Sequence, residues 1–203
     1  MTDLLDDIIT RLTARFGPHV LEASAAVHCG REVVARQLGR LRGYRLGTVV
    51  EIGTRHGVMA AVLARLAQRV ITIDLHSSPL VADVLACAGA GNVVPIRVHS
   101  DAAKAVLLDG LDFDLAFIDG DHSVEGAAWD FLHTHQCGRL LFHDYADPGF
   151  HGVTDFVDGL PRGTIVRDAP FAWWFAPGVE PFDGRERPAS PLAGTPLCHG
   201  PCH

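Results

Sequence analysis

The chain has 203 residues, of which 48% are apolar and 20% are charged. No apolar run approaches the ~20 residues that a membrane span needs, so we expect one soluble domain with a hydrophobic core and no membrane partner. The 17 basic and 24 acidic residues give a net charge of −7 without a dense basic stretch, which argues against a nucleic-acid partner. The partner expected instead is a small molecule.

The start of the chain, MTDLLDDIIT, is acidic and is followed by no cleavable apolar segment, so we expect a cytoplasmic location. The five cysteines are an odd number without regular spacing, which predicts free thiols. Cys29, Cys87 and Cys137 stand among small or apolar residues, where cysteine usually packs as a small hydrophobe. Cys198 and Cys202 lie in a Cys/His tract after a Pro-rich stretch, which predicts a disordered tail. The oligomeric state is left open, with a homo-oligomer as one alternative.

Short runs rich in Val and Ile alternate with segments of helical period, a pattern typical of βαβ units around a parallel sheet. Two helices are predicted before the first strand, at 3–16 and 22–42. The predicted strands are then 47–53, 69–75, 92–98, 113–119 and 138–143, and the helices between them are 57–67, 78–89, 102–109 and 124–135. After a helix at 151–159, the β-rich segments 163–168 and 171–176 are separated by Ala169 and Pro170, which predicts an antiparallel hairpin.

These elements predict an α/β fold with a doubly wound, mostly parallel, seven-stranded sheet and a C-terminal antiparallel hairpin. Residues 1–44 are expected to be N-terminal helices of the same domain, and residues 45–176 its main body. Residues 177–203, rich in Pro and Gly, are expected to be an extended tail without a core of its own.

Ligands of such sheets bind beyond the carboxyl ends of the strands. The first strand runs into Glu51, Gly53 and Gly57, and the second ends in Asp74, where an acid can accept hydrogen bonds from ribose hydroxyls. Neither G-x-G-x-x-G nor a P-loop is present, so a ribose site without a phosphate cradle is expected, which fits S-adenosylmethionine. Alternatively, both glycines serve helix packing and the acid caps a helix.

Two further motifs carry a resemblance to a known family. FIDGDHSVE runs from Phe117 to Glu125, and LFHDY runs from Leu141 to Tyr145. With the glycine motif, they resemble the class I S-adenosylmethionine-dependent methyltransferases over roughly residues 45–176, in particular a small-methyltransferase subfamily with O-methyltransferases of secondary metabolism and of sugars. Val124 stands where that family often has Tyr.

The resemblance implies a Rossmann-like methyltransferase fold and a set of cofactor contacts. Glu51 would orient the amino group of the methionine part or nearby backbone, Gly53 and Gly57 would shape the loop beside that part, and Asp74 would hold the ribose. Ser100 or Asp101 would lie near the adenine, and Asp119 would complete the cofactor-binding set. His122 occupies the position of the catalytic base.

Methyl transfer to an alcohol or phenol also requires that the acceptor lose its proton. Asp119 and Asp144 end neighbouring strands if the order follows this fold, and two adjacent carboxylates favour a divalent cation between them, Mg²⁺ or, with His143 as a third ligand, Mn²⁺. The ordinary pKa of His122 suits a general base. Asp121 is the alternative base, although each of these two residues also has a purely structural interpretation at a helix start.

The sequence thus predicts a methyltransferase for a small hydroxylated metabolite or sugar, assisted by a divalent metal. Two alternatives stay open. One is an enzyme of the same fold with N-methyltransferase or hydroxylase-like chemistry, and the other is a non-catalytic protein that binds S-adenosylmethionine.

Overall fold

A computed structural model describes residues 2–21, 24–160 and 163–182 of the chain. Within these ranges the chain forms eight α-helices and seven β-strands. The helices are α1 Thr2–Phe16, α2 Ala25–His28, α3 Arg31–Gly39, α4 Val58–Leu63, α5 Val81–Ala88, α6 Asp101–Asp109, α7 Val124–Leu132 and α8 His151–Asp158. The strands are β1 Leu46–Ile52, β2 Ala67–Asp74, β3 Val93–Arg97, β4 Leu115–Ile118, β5 Arg139–Phe142, β6 Thr164–Asp168 and β7 Phe171–Phe175. None of the described helices combines the length and the hydropathy that crossing a bilayer requires.

The seven strands form one sheet in the order β3-β2-β1-β4-β5-β7-β6. The first five strands are parallel, whereas β7 lies antiparallel to both β5 and β6. The chain reverses its direction of travel across the sheet between β1 and β4, which is where a doubly wound sheet opens a ligand crevice. The predicted fold class and the C-terminal hairpin are therefore confirmed.

Apolar residues cover both faces of the sheet, which is why the strands carry near-continuous apolar runs. On one face Val49, Leu115 and Leu141 pack against α1, α3, α4 and α5. On the other face Val50 and Ile118 belong to a second core cluster with residues of α6 and α8. The adjacent tryptophans at 173 and 174 point to opposite faces, and both are buried.

The N-terminal region differs from the prediction of one helix over 22–42. The structure has two separate helices there, α2 and α3, which are divided at Gly30. Gly30 has a φ of 82°, a left-handed conformation that interrupts a right-handed helix. The helix predicted at 57–67 is also shorter and ends at Leu63, because β2 already begins at Ala67.

Helix α3 is joined to the C-terminal hairpin by polar contacts. The buried indole Nε1 of Trp173 donates a hydrogen bond to Gln37 Oε1 at 2.8 Å. Gln37 Nε2 in turn donates to Asp168 Oδ2 at 2.7 Å, and Arg36 binds the same carboxylate through two nitrogens. Segments 131 to 136 residues apart in sequence are thus held together at the edge of the sheet.

Residues 177–182, the start of the predicted tail, form neither helix nor strand. Phe182 is nevertheless buried, with its ring edge-on to Tyr44, Trp173 and Phe175. The beginning of the predicted tail therefore packs on the core of the domain. Residues 183–203, with the Cys/His tract, lie outside the described residues.

Candidate active site

A cavity of about 680 Å³ opens at the carboxyl ends of β1, β2, β4 and β5. Most of the residues predicted for cofactor, acid–base and metal roles line it together. These are Gly53, Asp74, Asp101, Asp119, Asp121, His122, His143 and Asp144. Glu51, Gly57 and Ser100 do not belong to the lining.

Gly53 brings the end of β1 into close contact with the end of β4. Its φ is 96°, and a Cβ atom at this position would lie 1.9 Å from the carbonyl oxygen of Asp119. Only glycine avoids this clash, so the residue type sets how closely the two strand ends approach. Gly57 adopts the left-handed conformation at the N-cap of α4, where the loop after β1 ends, and a Cβ atom there would meet Val81 and Leu85.

Asp74 holds the loop that follows β1. Its Oδ2 accepts hydrogen bonds from the backbone N–H groups of Thr54 and Arg55, both at 2.8 Å, and its Oδ1 accepts one from His76 at 2.7 Å. A carboxylate has about four acceptor positions, so these bonds leave roughly one for a ligand hydroxyl. Asp74 therefore shapes the loop, and its predicted contact with ribose would use the remaining acceptor position.

Glu51 lies beneath that loop and is fully buried. One of its carboxyl oxygens accepts a hydrogen bond from Thr72, whose hydroxyl also contacts Thr54, and the other oxygen has no partner. Burial raises the pKa of Glu51 well above its ordinary value, which favours the neutral form of the group. Glu51 was predicted to orient the methionine part of the cofactor or nearby backbone, and it would have to do so through its contacts with Thr72 and Thr54.

The predicted adenine side of the cavity is built by the start of α6. Ser100 is the N-cap, and its hydroxyl accepts the N–H of Ala103. Asp101 lines the cavity beside Lys104, a buried lysine whose Nζ lies 2.6 Å from Asp130 and 3.2 Å from Asp101. Lys104 had not been recognised from the sequence, because a lysine on an amphipathic helix normally faces solvent.

Four side chains at the ends of β4 and β5 form what we call the histidine–aspartate cluster: Asp119, His122, His143 and Asp144. His143 Nδ1 lies 2.9 Å from Asp119 Oδ1 and 3.0 Å from Asp144 Oδ1. His122 contacts the same two carboxylates, with Nε2 at 3.5 Å from Asp119 and Nδ1 at 3.3 Å from Asp144. Each carboxylate thus lies between two imidazoles.

The contacts within the cluster shift its pKa values. Burial opposes the charged form of His143, but its hydrogen bonds to Asp119, Asp144 and Cys29 outweigh this and raise the pKa to about 12. The hydrogen bond to Asp119 raises the pKa of His122 despite partial burial. Burial alone would raise the pKa of Asp119, yet the two imidazoles bring it below its ordinary value. The cluster is therefore a set of mutually compensating charges.

Asp121, the alternative base, faces the backbone at the start of α7. Its Oδ1 accepts the N–H of Ser123 at 2.9 Å, and this bond keeps the pKa of Asp121 below its ordinary value. A carboxylate stabilised in this way is a weaker proton acceptor than His122, whose pKa is raised.

Several cavity residues were not foreseen from the sequence. Phe150 lies before α8, and its ring is edge-on to that of His122 with centroids 4.3 Å apart. Val20 and Ala25 close the cavity from the N-terminal region. These residues come from loops and short helices without periodic patterns, so nothing in the sequence marks them. Cys29 lies behind the lining, with Sγ 2.8 Å from His143 Nε2.

Comparisons with known proteins agree with this geometry. The methyltransferase domain family matches residues 50–145. A protein-L-isoaspartate O-methyltransferase from Leptothrix cholodnii is 37% identical over 153 residues, which cover 66% of this chain and 48% of the relative. The chain thus spans about half the length of this curated relative.

Two solved structures share the fold at low identity. Cofactor-bound Rv0187 from MTB has a TM-score of 0.59 and 19% identity, covering 86% of this chain and 89% of its own. A mutant of MtNAS in complex with S-adenosylmethionine has a TM-score of 0.55 and 16% identity, covering 87% of this chain and 73% of its own. At this level of identity the likeness concerns the fold alone.

Residues 50–145, which contain the glycine loop and the histidine–aspartate cluster, are thus the part of the chain that matches a methyltransferase domain. The relative from Leptothrix cholodnii has a stated activity, and the similarity to it covers only part of each chain.

Proposed function

We propose that the protein transfers the methyl group of S-adenosylmethionine to a hydroxyl oxygen of a small molecule, with His122 as the base. The observation that carries this proposal is the shared cavity: the loop at Gly53 and Asp74 and the histidine–aspartate cluster line the same space. A methyl donor beside the loop and an acceptor beside the cluster would then face each other.

A hydroxyl group is a poor nucleophile until its proton is removed. His122 lines the cavity, and Asp119 and Asp144 hold its two ring nitrogens. Because the pKa of His122 is raised, its neutral, proton-accepting form becomes the main form only at a pH above the ordinary imidazole pKa of about 6.5. The rate of hydroxyl methylation should therefore rise with pH, with an acidic limb that lies above that of a free imidazole.

A carboxylate oxygen is the second candidate acceptor, and the similarity to a protein-L-isoaspartate O-methyltransferase favours it. A carboxylate is already ionised at neutral pH and needs no base. The two acceptor classes therefore differ in their dependence on His122.

The experiment that separates them uses methyl-labelled S-adenosylmethionine with panels of alcohols, phenols, sugars and isoaspartyl peptides. We expect label on a hydroxyl oxygen and a loss of about 100-fold or more in kcat for His122→Gln, the range of general-base contributions. Asp121→Asn should retain most activity. His133→Gln is the matched control, since this imidazole also pairs with a carboxylate, Asp109, but does not belong to the cavity lining.

Other outcomes would overturn the proposal in specific ways. Label on a carboxyl group, with full activity in His122→Gln, would establish the second candidate. Label on nitrogen would indicate the N-methyltransferase alternative. Calorimetric binding of S-adenosylhomocysteine without transfer to any acceptor in the panels would favour a binding protein.

We also propose that a divalent cation assists the reaction. Asp119, His143 and Asp144 offer ligand atoms that all lie within 4.8 Å of one another, a mixed nitrogen and oxygen set that suits Mn²⁺ better than Mg²⁺. When bound, the cation would polarise the acceptor oxygen. Calorimetric titration with Mn²⁺ tests this proposal: we expect binding that Asp144→Asn abolishes, and absence of binding to the native protein would refute it.

A further inference from the structure

The inference concerns Cys29, which lies between α2 and α3, just before the left-handed turn at Gly30. Its Sγ lies 2.8 Å from Nε2 of His143, a residue 114 positions further along the chain. The other ring nitrogen of His143, Nδ1, lies 2.9 Å from Asp119 Oδ1 on the opposite side of the ring. The Cys29 thiol thus contacts the ring nitrogen of His143 that faces away from Asp119 and Asp144.

The position of the His143 ring determines the geometry of the whole cluster. Its Nδ1 is directed between the carboxylates of Asp119 and Asp144, and these carboxylates hold His122. An imidazole bonded at one nitrogen only can still tilt about that bond, whereas contacts at both nitrogens fix the plane of the ring. Cys29 supplies the second contact.

The other described cysteines behave differently. Cys87 Sγ lies 3.8 Å from the carbonyl oxygen of Arg11, and Cys137 Sγ lies 3.1 Å from that of Arg139. Both contacts are to backbone carbonyl groups, and neither cysteine belongs to the cavity lining. Among the three thiols in the described ranges, only Cys29 bonds to a side chain that lines the cavity.

We propose that Cys29 is a positioning residue for methyl transfer: it holds Nε2 of His143 so that the ring keeps Asp119 and Asp144 in place around His122. This inference rests on the proposed function, in which His122 is the base. Cys29 itself does not touch the reacting atoms, because it acts through His143. The N-terminal helices, which lie outside the matched domain, would thereby contribute directly to the arrangement of the base.

The test compares Cys29→Ala and Cys29→Ser with Cys87→Ala as the matched control. Loss of the partner of an oriented histidine typically costs about 10- to 100-fold in activity. We expect Cys29→Ala to lower kcat by about 10-fold or more, with KM for S-adenosylmethionine within about twofold of the native value. Cys29→Ser should recover most of the loss, because its hydroxyl can form the same hydrogen bond. Cys87→Ala should match the native enzyme.

A second measurement keeps this inference separate from the proposed function. The ring ¹⁵N chemical shifts of His143 should change in Cys29→Ala, return toward the native values in Cys29→Ser, and stay unchanged in Cys87→Ala. If the native protein transfers no methyl group, the proposed function fails, and these shifts still test the contact. Native kcat and native His143 shifts in Cys29→Ala would overturn the inference, as would a Cys29→Ser variant no more active than Cys29→Ala.

Discussion

Replacement of Gly53 by alanine tests whether the close approach of β1 and β4 builds the cofactor side of the cavity. The new Cβ would lie 1.9 Å from the carbonyl oxygen of Asp119 and 2.5 Å from its carbonyl carbon. Both are backbone atoms, so no side-chain rotation relieves the clash. Ordinary contact begins at 3.4 Å, and the two strand ends would therefore have to separate by about 1.5 Å.

This displacement acts on the hydrogen bond between the ends of β4 and β1, from the Asp119 N–H to the Ile52 oxygen, which is 2.9 Å long. It also acts on the bond from the Gly53 N–H to the Ile73 oxygen, likewise 2.9 Å long, which joins the end of β1 to β2. A misplacement of about 1 Å in a site can cost about 100-fold in rate. We expect kcat/KM to fall by about 100-fold or more in Gly53→Ala. Strain from the positive φ adds about 1–2 kcal/mol of destabilisation.

The control is Gly178→Ala. Gly178 has a φ of 82°, but a Cβ atom there would meet nothing within 4 Å. The control therefore carries the backbone strain without the clash. Thermal unfolding should show a small loss of stability in Gly178→Ala and a larger one in Gly53→Ala, and calorimetry with S-adenosylhomocysteine should show a loss of affinity in Gly53→Ala alone. If Gly53→Ala bound the ligand as tightly as Gly178→Ala did, the argument from the close approach would be refuted.

Three further predictions concern stability and reactivity. Trp173→Phe should lower the free energy of unfolding by about 1–3 kcal/mol, because it leaves the buried Gln37 acceptor unpaired; an unchanged urea midpoint would contradict this. Hydrogen bonds from Arg36 lower the pKa of Asp168, so their contribution is complete above the ordinary pKa of Asp168 and is lost as pH falls through the lowered value. Asp168→Asn should therefore destabilise the protein at neutral pH and have little effect in strong acid, as measured by urea titration at both pH values. Burial raises the pKa of Cys137 to about 11, so the native protein should resist alkylation there at mildly alkaline pH, and peptide mapping that finds rapid labelling would count against this burial.

The parallel sheet could be predicted because its strands are apolar on both faces. Such strands are typical of parallel sheets that helices cover on both sides. The position of the site followed from the same sheet, since Asp74, Asp119 and Asp144 come directly after strands whose carboxyl ends share one edge. The alternation of side chains along a strand also indicates on which face of the sheet Glu51 lies. Successive side chains alternate between faces, so Glu51 had to point away from the face of Ile52, which lines the cavity.

The remaining features depend on tertiary packing that local pattern does not encode. The contact between Cys29 and His143 requires the N-terminal helices to dock against the end of β5, across 114 positions of sequence. The edge-on contact of Phe150 with His122 depends on the path of the loop before α8. The division of the second predicted helix was marked by Gly30, but a single glycine inside a helical pattern does not by itself predict a break.

Hydrogen bonds from Gln37 and Arg36 to the last two strands tie the N-terminal helices to the sheet. The part of the chain that folds as one unit is therefore larger than residues 50–145, which match the methyltransferase domain family. A fragment trimmed to residues 50–145 would lack both partners of these hydrogen bonds and the β7 neighbour of β5, which would expose an unpaired sheet edge. Recombinant work on this domain therefore has to retain the first helices and the final hairpin for a stable product.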